Sequence, residues 1–233
     1  MMPPDVDDAA AAAASVDLSA RMRPVADQGP RGTCLAFAVT AAHELARTGQ
    51  GHNQGLSVEC LYWAAKQRDG DVSEGTSFAS AYDALANTGH PREELWPYDP
   101  LRDASAPDYA PPPAIVHGNC HRAVLREITP MLEAVRSELA AGCAIAVGIP
   151  LWDSFYTPKE GELDLPARSE LTGALHVVTV VGYDDRAHRI RIRNSWGVGW
   201  GDSGYATLPC GFIGDYVLEA WSIGRLLDQR PIR

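Results

Sequence analysis

A proline-rich passage, WPYDPLRDASAPDYAPPPAIV (residues 96–116), divides the chain into two halves with different residue patterns. Proline fixes φ and has no backbone N–H, so neither a helix nor a central strand continues through such a passage. We therefore predict two lobes, residues 21–115 and residues 116–233, joined by a segment that crosses between them in extended form.

The half before this passage carries three helical patterns. The first runs from Thr33 to about Thr48, is apolar almost all round, and predicts a central, buried helix ended by Gly49. The second begins at Ser57, a predicted N-cap, and the third, TSFASAYDALANTG, runs to Gly89. We expect this lobe to be helical.

The half after the passage favours strands. It contains one helical pattern, at about Pro130–Ala141, with Thr129 as the predicted N-cap and Gly142 as the stop. Its other apolar segments have strand patterns, and they are CAIAVGIPL, ALHVVTVVGYD, HRIRIRNSW and GYATLP. Helices in one half and strands in the other predict the α+β fold class.

Charge and hydropathy exclude several kinds of partner. The net charge of −10, with no run of Lys or Arg, disfavours binding to nucleic acid or to anionic lipid. No apolar stretch is as long as a membrane-spanning helix. We expect neither a nucleic acid nor a membrane as a partner, and the oligomeric state stays open.

The first twenty residues, MMPPDVDDAAAAAASVDLSA, are acidic where a secretory signal would be basic. We predict that residues 1–20 form a disordered, acidic, alanine-rich tail, with a short helix as the alternative. The five cysteines are odd in number and irregularly spaced, which is not typical of a disulfide framework. Both observations predict a cytoplasmic protein.

One cysteine, Cys34, lies where a turn-rich loop becomes the first helix. Backbone N–H groups and the helix dipole favour a thiolate there, and a thiolate is a strong nucleophile. Taken alone, such a cysteine is more often a small buried hydrophobic residue. Gln28, upstream on the same loop, can aim its amide at the place where the Cys34 backbone N–H also points, and two donors converging there would stabilise an oxyanion.

The strand-rich half supplies candidate partners for this thiol. His176 begins an apolar strand, and taken alone it is equally typical of a structural histidine. Asn194, in RNSWGVGWGDSGY, carries an amide oxygen that can accept from one imidazole nitrogen and fix the ring. Trp196 and Trp200 follow, and they can shield that bond from water.

The order and content of these segments resemble the papain family of cysteine peptidases, from about Arg21 to the end of the chain. His176 and Asn194 follow Cys34 at separations close to those described for papain-type enzymes. The similar blocks are DQGPRGTCLAFA, LSVECL, EGTSFASAYDAL with WPY, GALHVVTVVGYD and NSWGVGWGDSGY.

The resemblance implies a papain-like two-lobe fold, with a helical lobe, an antiparallel β-barrel-like lobe, and the active site in the cleft between them. Matched residue by residue, it implies Cys34 as the nucleophile, His176 as its base and later acid, Asn194 as the residue that orients the imidazole, and Gln28 as the oxyanion donor. It implies a substrate-binding role for Gly75, Thr76, Leu175 and Trp196.

This chain departs from the family pattern at several positions. Leu35 follows the nucleophile where the family usually has tryptophan, and Arg31 stands in the region of the usual cysteine before the nucleophile. Thr76 replaces the second of two paired glycines, which implies a more crowded wall for the substrate. Fewer than thirty residues precede Gln28, so the sequence predicts a bacterial-type member without an inhibitory pro-segment.

The sequence thus predicts an endopeptidase that hydrolyses peptides or proteins through a Cys34 thioester and uses no metal or organic cofactor. One alternative is a papain-like acyltransferase or amidase, because the same thiolate and imidazole serve a different acceptor. The other alternative is a catalytically silent module that binds peptides. All four catalytic positions are filled, which favours an enzyme over the silent module.

Overall fold

The computed structural model describes residues 14–71, 73–115 and 119–227. Within these ranges the chain forms five α-helices: α1 (Cys34–Thr48), α2 (Val58–Asp69), α3 (Phe78–Asn87), α4 (Leu132–Ala140) and α5 (Phe212–Tyr216). Seven strands form in the same ranges: β1 (Ser15–Asp17), β2 (Ala123–Glu127), β3 (Ile145–Trp152), β4 (Leu171–Asp184), β5 (Arg189–Arg193), β6 (Tyr205–Pro209) and β7 (Glu219–Leu226). The α+β prediction is confirmed.

The strands form one antiparallel sheet. Its order is β2-β7-β3-β4-β5-β6, and β1 pairs with β4 outside this path. Strand β4 lies between β3 and β5, and its His176 stands opposite Ile149 of β3. The candidate histidine therefore lies on an interior strand, where the register is set by pairing on both sides.

Helix α1 joins the helical part of the molecule to the sheet. It contacts β3, β4 and β7 on one side and α2 and α3 on the other. Its side chains are apolar almost all round because both sides are covered, and Val39 is fully buried. This packing places the first residue of α1, Cys34, beside the strand that carries His176.

The predicted starts of the first two helices are confirmed, whereas the predicted start of α4 is wrong. Ser57 caps α2 by accepting a hydrogen bond from the Cys60 N–H at 3.1 Å. Helix α4 begins at Leu132 with Met131 as its N-cap residue, and no side chain caps it. Thr129 lies outside because its carbonyl accepts the Met131 N–H at 2.7 Å, which closes a turn before the helix.

The predicted disordered tail at residues 1–20 is wrong for the residues from Ser15 onward. Strand β1 pairs with β4, with Val16 opposite Tyr183. Gly182 makes this approach possible, because a Cβ atom there would lie 2.4 Å from the Val16 carbonyl oxygen. A three-residue strand next to an alanine run has too short a pattern to be found in sequence. Residues 1–13 lie outside the described residues.

The structure also bears on the expectations about membrane-spanning helices and about disulfides. Among the helices in the described ranges, none combines the length and the apolar character that a bilayer crossing requires. The cysteines at positions 34, 60, 120, 143 and 210 are all free thiols.

Candidate active site

Cys34 opens α1 and is partly exposed to the cleft between the helices and the sheet. The preceding residue, Thr33, is fully buried, and its side chain makes no capping hydrogen bond to the helix. The Thr33 hydroxyl instead pairs with the Tyr98 hydroxyl at 2.8 Å. The first N–H groups of α1 are thus left near the sulfur.

Burial raises the pKa of the Cys34 thiol above its usual range. The backbone N–H groups of Val177, Leu35 and Cys34, which lie near the sulfur, act in the opposite direction by stabilising a negative charge there. The helix start favours the thiolate, as the sequence predicts, but this effect on the Cys34 pKa is weaker than the opposite effect of burial. The contact with Val177 also places the sulfur next to the residue that follows His176.

His176 and Asn194 form the second part of the site. His176 Nε2 lies 2.7 Å from Asn194 Oδ1, and both side chains are buried. The Ser195 N–H also donates to Asn194 Oδ1, at 2.8 Å, which identifies that atom as the amide oxygen. Nε2 must then carry the proton, and Nδ1 is the imidazole nitrogen with a free lone pair.

The surroundings of His176 favour its neutral form. Burial lowers the pKa of His176 to about 4, while the hydrogen bond with Asn194 acts to raise it. The ring packs against Trp196, with centroids 4.6 Å apart, and against Phe155, at 6.0 Å. Trp200 lies one layer further away, and its indole Nε1–H donates to the Phe155 carbonyl at 2.8 Å.

Gln28 links the loop before α1 to the segment that carries Asn194. Its Oε1 accepts from the Ser195 hydroxyl at 2.7 Å, and its backbone N–H donates to the Ser195 carbonyl at 2.8 Å. Its Nε2 donates to the Arg31 carbonyl at 2.7 Å. Because an amide nitrogen carries two hydrogens, one N–H of Gln28 remains for a further acceptor.

A cavity of about 540 Å³ lies in front of Cys34 and His176. Of the predicted substrate-binding residues, Gly75, Thr76 and Leu175 line it, and Leu175 is largely exposed on its rim. Trp196 does not line this cavity; it lies against His176 instead. Gln28 and Asn194 are not among the residues that line the cavity; both side chains are buried.

Three residues of the site are missing from the sequence-based prediction. Ser195, between Asn194 and Trp196, holds both Gln28 and Asn194. Leu218 and Glu219, at the start of β7, line the cavity opposite the helical wall. The mainly apolar segment YVLEAWSIGRL is a signal for β7, whereas nothing in the local sequence signals the contact between Ser195 and Gln28, which are far apart in the chain.

No group of three or more His, Cys, Asp or Glu side chains within the described ranges is arranged to hold a metal ion. The acids near the cavity have protein partners of their own. Glu74 accepts from the Gly32 N–H at 2.7 Å, and Asp69 and Asp71 pair with Lys66 at 3.2 and 2.7 Å.

Comparisons with known proteins agree with this arrangement. The profile of the family described as "Papain family cysteine protease" matches residues 12–216. Macrodontain-1 from Ananas macrodontes is 30% identical over 187 residues, which cover 79% of this chain and 82% of that protein. An uncharacterized peptidase C1-like protein of Acanthamoeba polyphaga mimivirus is 25% identical over 221 residues, which cover 87% of this chain and 70% of the viral protein.

A solved structure shows the same fold. Xylellain, a cysteine protease from Xylella fastidiosa, aligns with a TM-score of 0.82 at 24% sequence identity. The alignment covers 100% of this chain and 91% of that one. The expected papain-like two-lobe α+β fold is confirmed.

Proposed function

The chain belongs to the papain family of cysteine proteases, and we propose that it hydrolyses peptide bonds through a covalent intermediate on Cys34. One observation carries this assignment of residues: Cys34 and His176 face one cavity, and Asn194 accepts a hydrogen bond from His176 Nε2. Nδ1 is then the nitrogen left to take the thiol proton. Asn194 orients the ring, and Gln28 supplies an oxyanion donor.

The first half of the reaction forms a thioester. The Cys34 proton moves to His176 Nδ1 as the sulfur attacks the carbonyl carbon of the substrate. The negative charge that develops on the carbonyl oxygen is stabilised by the free N–H of Gln28 and the backbone N–H of Cys34. Protonated His176 then gives its proton to the leaving amine, and the C–N bond breaks.

The second half releases the acid product. A water molecule gives a proton to His176 and attacks the thioester carbonyl, through a second oxyanion at the same donors. The C–S bond breaks, and the proton returns from His176 to the Cys34 sulfur. Thiol and neutral imidazole are restored, so the cycle is balanced.

The burial of both groups suits this proton transfer. Burial raises the pKa of Cys34 and lowers that of His176, so a lone charge on either group is disfavoured. Transfer of the proton from one to the other creates two opposite charges at once, and each stabilises the other. The site therefore favours paired ionisation during attack over a free thiolate in the resting protein.

The test is labelling with an epoxide that reacts with activated thiols, read by peptide mapping, together with peptidase assays. We expect one adduct, on Cys34, and loss of hydrolysis in Cys34→Ala with the fold retained by circular dichroism. Cys143→Ala is the matched control, because Cys143 is also a partly exposed free thiol but lies away from the cavity. Unchanged hydrolysis by Cys34→Ala would falsify the assignment.

The same assay separates the other uses of the site. Release of the acid product alone supports hydrolysis. Capture of the acyl group by an added amine, in preference to water, would instead favour an acyltransferase. An epoxide adduct without turnover of any peptide would favour a binding module.

A further inference from the structure

The oxyanion loop, residues 28–33, depends on one backbone carbonyl. The Arg31 carbonyl accepts the Gln28 Nε2–H at 2.7 Å and the Thr33 N–H at 2.8 Å. It therefore holds the amide of the candidate oxyanion donor and the residue just before Cys34. The position of Arg31 fixes the aim of Gln28 relative to the nucleophile.

The Arg31 side chain is itself held by a carboxylate in the helical part of the molecule. Its Nη1 and Nη2 atoms each donate to one oxygen of Glu59 on α2, both at 2.8 Å. Nη1 also donates to the Asp99 carbonyl at 2.8 Å. Two parallel bonds between a planar guanidinium and a carboxylate fix direction as well as distance.

Aromatic residues enclose this ion pair. The guanidinium carbon lies 5.4 Å from the Tyr62 ring centroid and 5.0 Å from that of Tyr98. The Tyr109 hydroxyl donates to Glu59 Oε1 at 2.6 Å. Glu59 is fully buried and Arg31 is 6% exposed, so water does not compete for these bonds.

A second contact reaches the same loop from the same aromatic group. The Tyr98 hydroxyl donates to the Gln28 carbonyl at 2.7 Å, and it also pairs with Thr33 Oγ1. The first and last residues of the loop are thus tied to a ring that stacks on the Arg31 guanidinium. The loop and the ion pair form one connected unit.

A buried ion pair is weak evidence for stability, because desolvation offsets much of the attraction between the charges. Fixed geometry is its better-supported use. We propose that Arg31, anchored by Glu59, is a positioning residue that aims the Gln28 amide at the oxyanion. The inference rests on the proposed function, because it assigns Arg31 a task that exists only if Gln28 acts as the donor.

The first test measures the steady-state kinetics of Arg31→Lys and Arg31→Met with a short peptide anilide. Lysine keeps the charge but loses the two-pronged geometry, and methionine loses both. We expect kcat to fall by about 10²-fold in Arg31→Met, the range for a misaligned or missing oxyanion donor, and less in Arg31→Lys. KM should change by less than threefold, because neither variant touches the cavity.

Alkylation of Cys34 by iodoacetamide separates positioning from damage to the site. This reagent reacts by displacement at a saturated carbon, so no oxyanion forms. We expect the alkylation rate of both Arg31 variants to match the wild-type rate, while a peptide aldehyde, whose adduct occupies the oxyanion hole, binds more weakly. A parallel fall in alkylation and in kcat would show general disruption and would overturn the proposal.

Folding controls keep the proposal testable. Arg31→Met leaves Glu59 buried without its cation, so the double variant Arg31→Gln with Glu59→Gln removes both charges and retains polar groups. It should fold, by circular dichroism and thermal unfolding, and still lose kcat. Arg102→Gln is the matched control, because Arg102 lies 3.9 Å from Glu59 without a contact to the loop, and its kcat should be unchanged.

A double-mutant cycle with Gln28→Ala decides whether Arg31 acts through Gln28. If it does, Arg31→Met lowers kcat little further in the Gln28→Ala background. A Gln28→Ala variant with lowered kcat, on which the Arg31→Met effect multiplies in full, contradicts this proposal alone. A Gln28→Ala variant with wild-type kcat contradicts the oxyanion assignment and this proposal together, while the role of Cys34 stands.

Discussion

Ser195 Oγ donates a hydrogen bond to Gln28 Oε1 over 2.7 Å, and this bond joins the loop before α1 to the segment that carries Asn194. Because the Ser195 hydroxyl binds the amide oxygen of Gln28, the amide nitrogen points away from Ser195. The Ser195 N–H meanwhile holds Asn194 Oδ1 at 2.8 Å. One residue thus orients both amides of the site.

We expect Ser195→Ala to lower kcat by about two- to tenfold, the range for one net hydrogen bond of ~0.5–1.5 kcal/mol. KM should be nearly unchanged, since Ser195 does not line the cavity. Steady-state kinetics measure both values. Ser137→Ala, on the exposed face of α4, is the matched control, and equal losses in the two variants would contradict the prediction.

Activity should persist at mildly acidic pH. The neutral imidazole of His176 takes the thiol proton, and burial lowers its pKa to about 4. We therefore expect kcat/KM to fall as pH drops through about 4, rather than through the usual histidine value near 6.5. Rates at each pH, with enzyme returned to pH 7 for reassay, separate titration from unfolding.

The variant Asn194→Ala provides a second test of this pH dependence. The hydrogen bond that His176 donates to Asn194 raises the pKa of His176, so its removal should move the acid limb to lower pH. The rate at neutral pH should fall by about 10²-fold, because the ring loses its orientation. An acid limb that stays in place in this variant would argue against His176 as the titrating group.

Acid should destabilise the fold through a buried histidine pair. His43 Nδ1 lies 2.7 Å from His90 Nε2, and both residues are fully buried. Burial lowers the pKa of His43 well below its usual value and that of His90 to about 3. The unfolded chain then takes up protons near pH 6.5 while the folded chain does not, so stability is full above pH 6.5 and declines below it.

Urea unfolding between pH 7 and pH 4 checks this. We expect the free energy of unfolding to fall on the order of a few kcal/mol over that range. His90→Asn should be less stable at pH 7 but show a flatter pH dependence. His188→Asn serves as the control, because His188 is exposed and has a positive φ of 53° that asparagine tolerates; an equal flattening there would count against the buried pair.

Gly32 sets the width of the cavity beside Cys34. A Cβ atom at Gly32 would lie 2.6 Å from the Gly75 nitrogen and 2.9 Å from Glu74 Oε2. We expect Gly32→Ala to push this wall outward and raise KM on the order of tenfold, since overpacking of this kind costs ~1–3 kcal/mol. Gly214→Ala, with open space around it, should leave KM at the wild-type value.

Cys34, His176 and Asn194 can be proposed from the sequence because each lies in a contiguous block with a recognisable local pattern. Cys34 starts a helix with a clear apolar pattern. The structure places this helix start beside Val177, and Cys34 and His176 line the same cavity. The α+β class follows from the same periodicities. Elements of ten residues or more carry enough repeats to be identified.

The supporting contacts are not predictable in this way, because they join residues far apart in the chain. Gln28 and Ser195 are 167 residues apart, and Arg31 and Glu59 are 28 apart. An arginine in a loop and a glutamate in a helix look like solvated surface residues until the fold buries both. The same holds for β1, whose partner strand β4 lies in the other half of the chain.

The anchoring of the oxyanion loop by an ion pair has a consequence for redox chemistry. A cysteine nucleophile works only while it stays reduced, and reductants that protect it also break disulfides that brace a loop. Thiol reductants do not react with the side chains of Arg31 and Glu59. Strong reducing agents can therefore keep Cys34 in its active form without loosening the segment that aims Gln28.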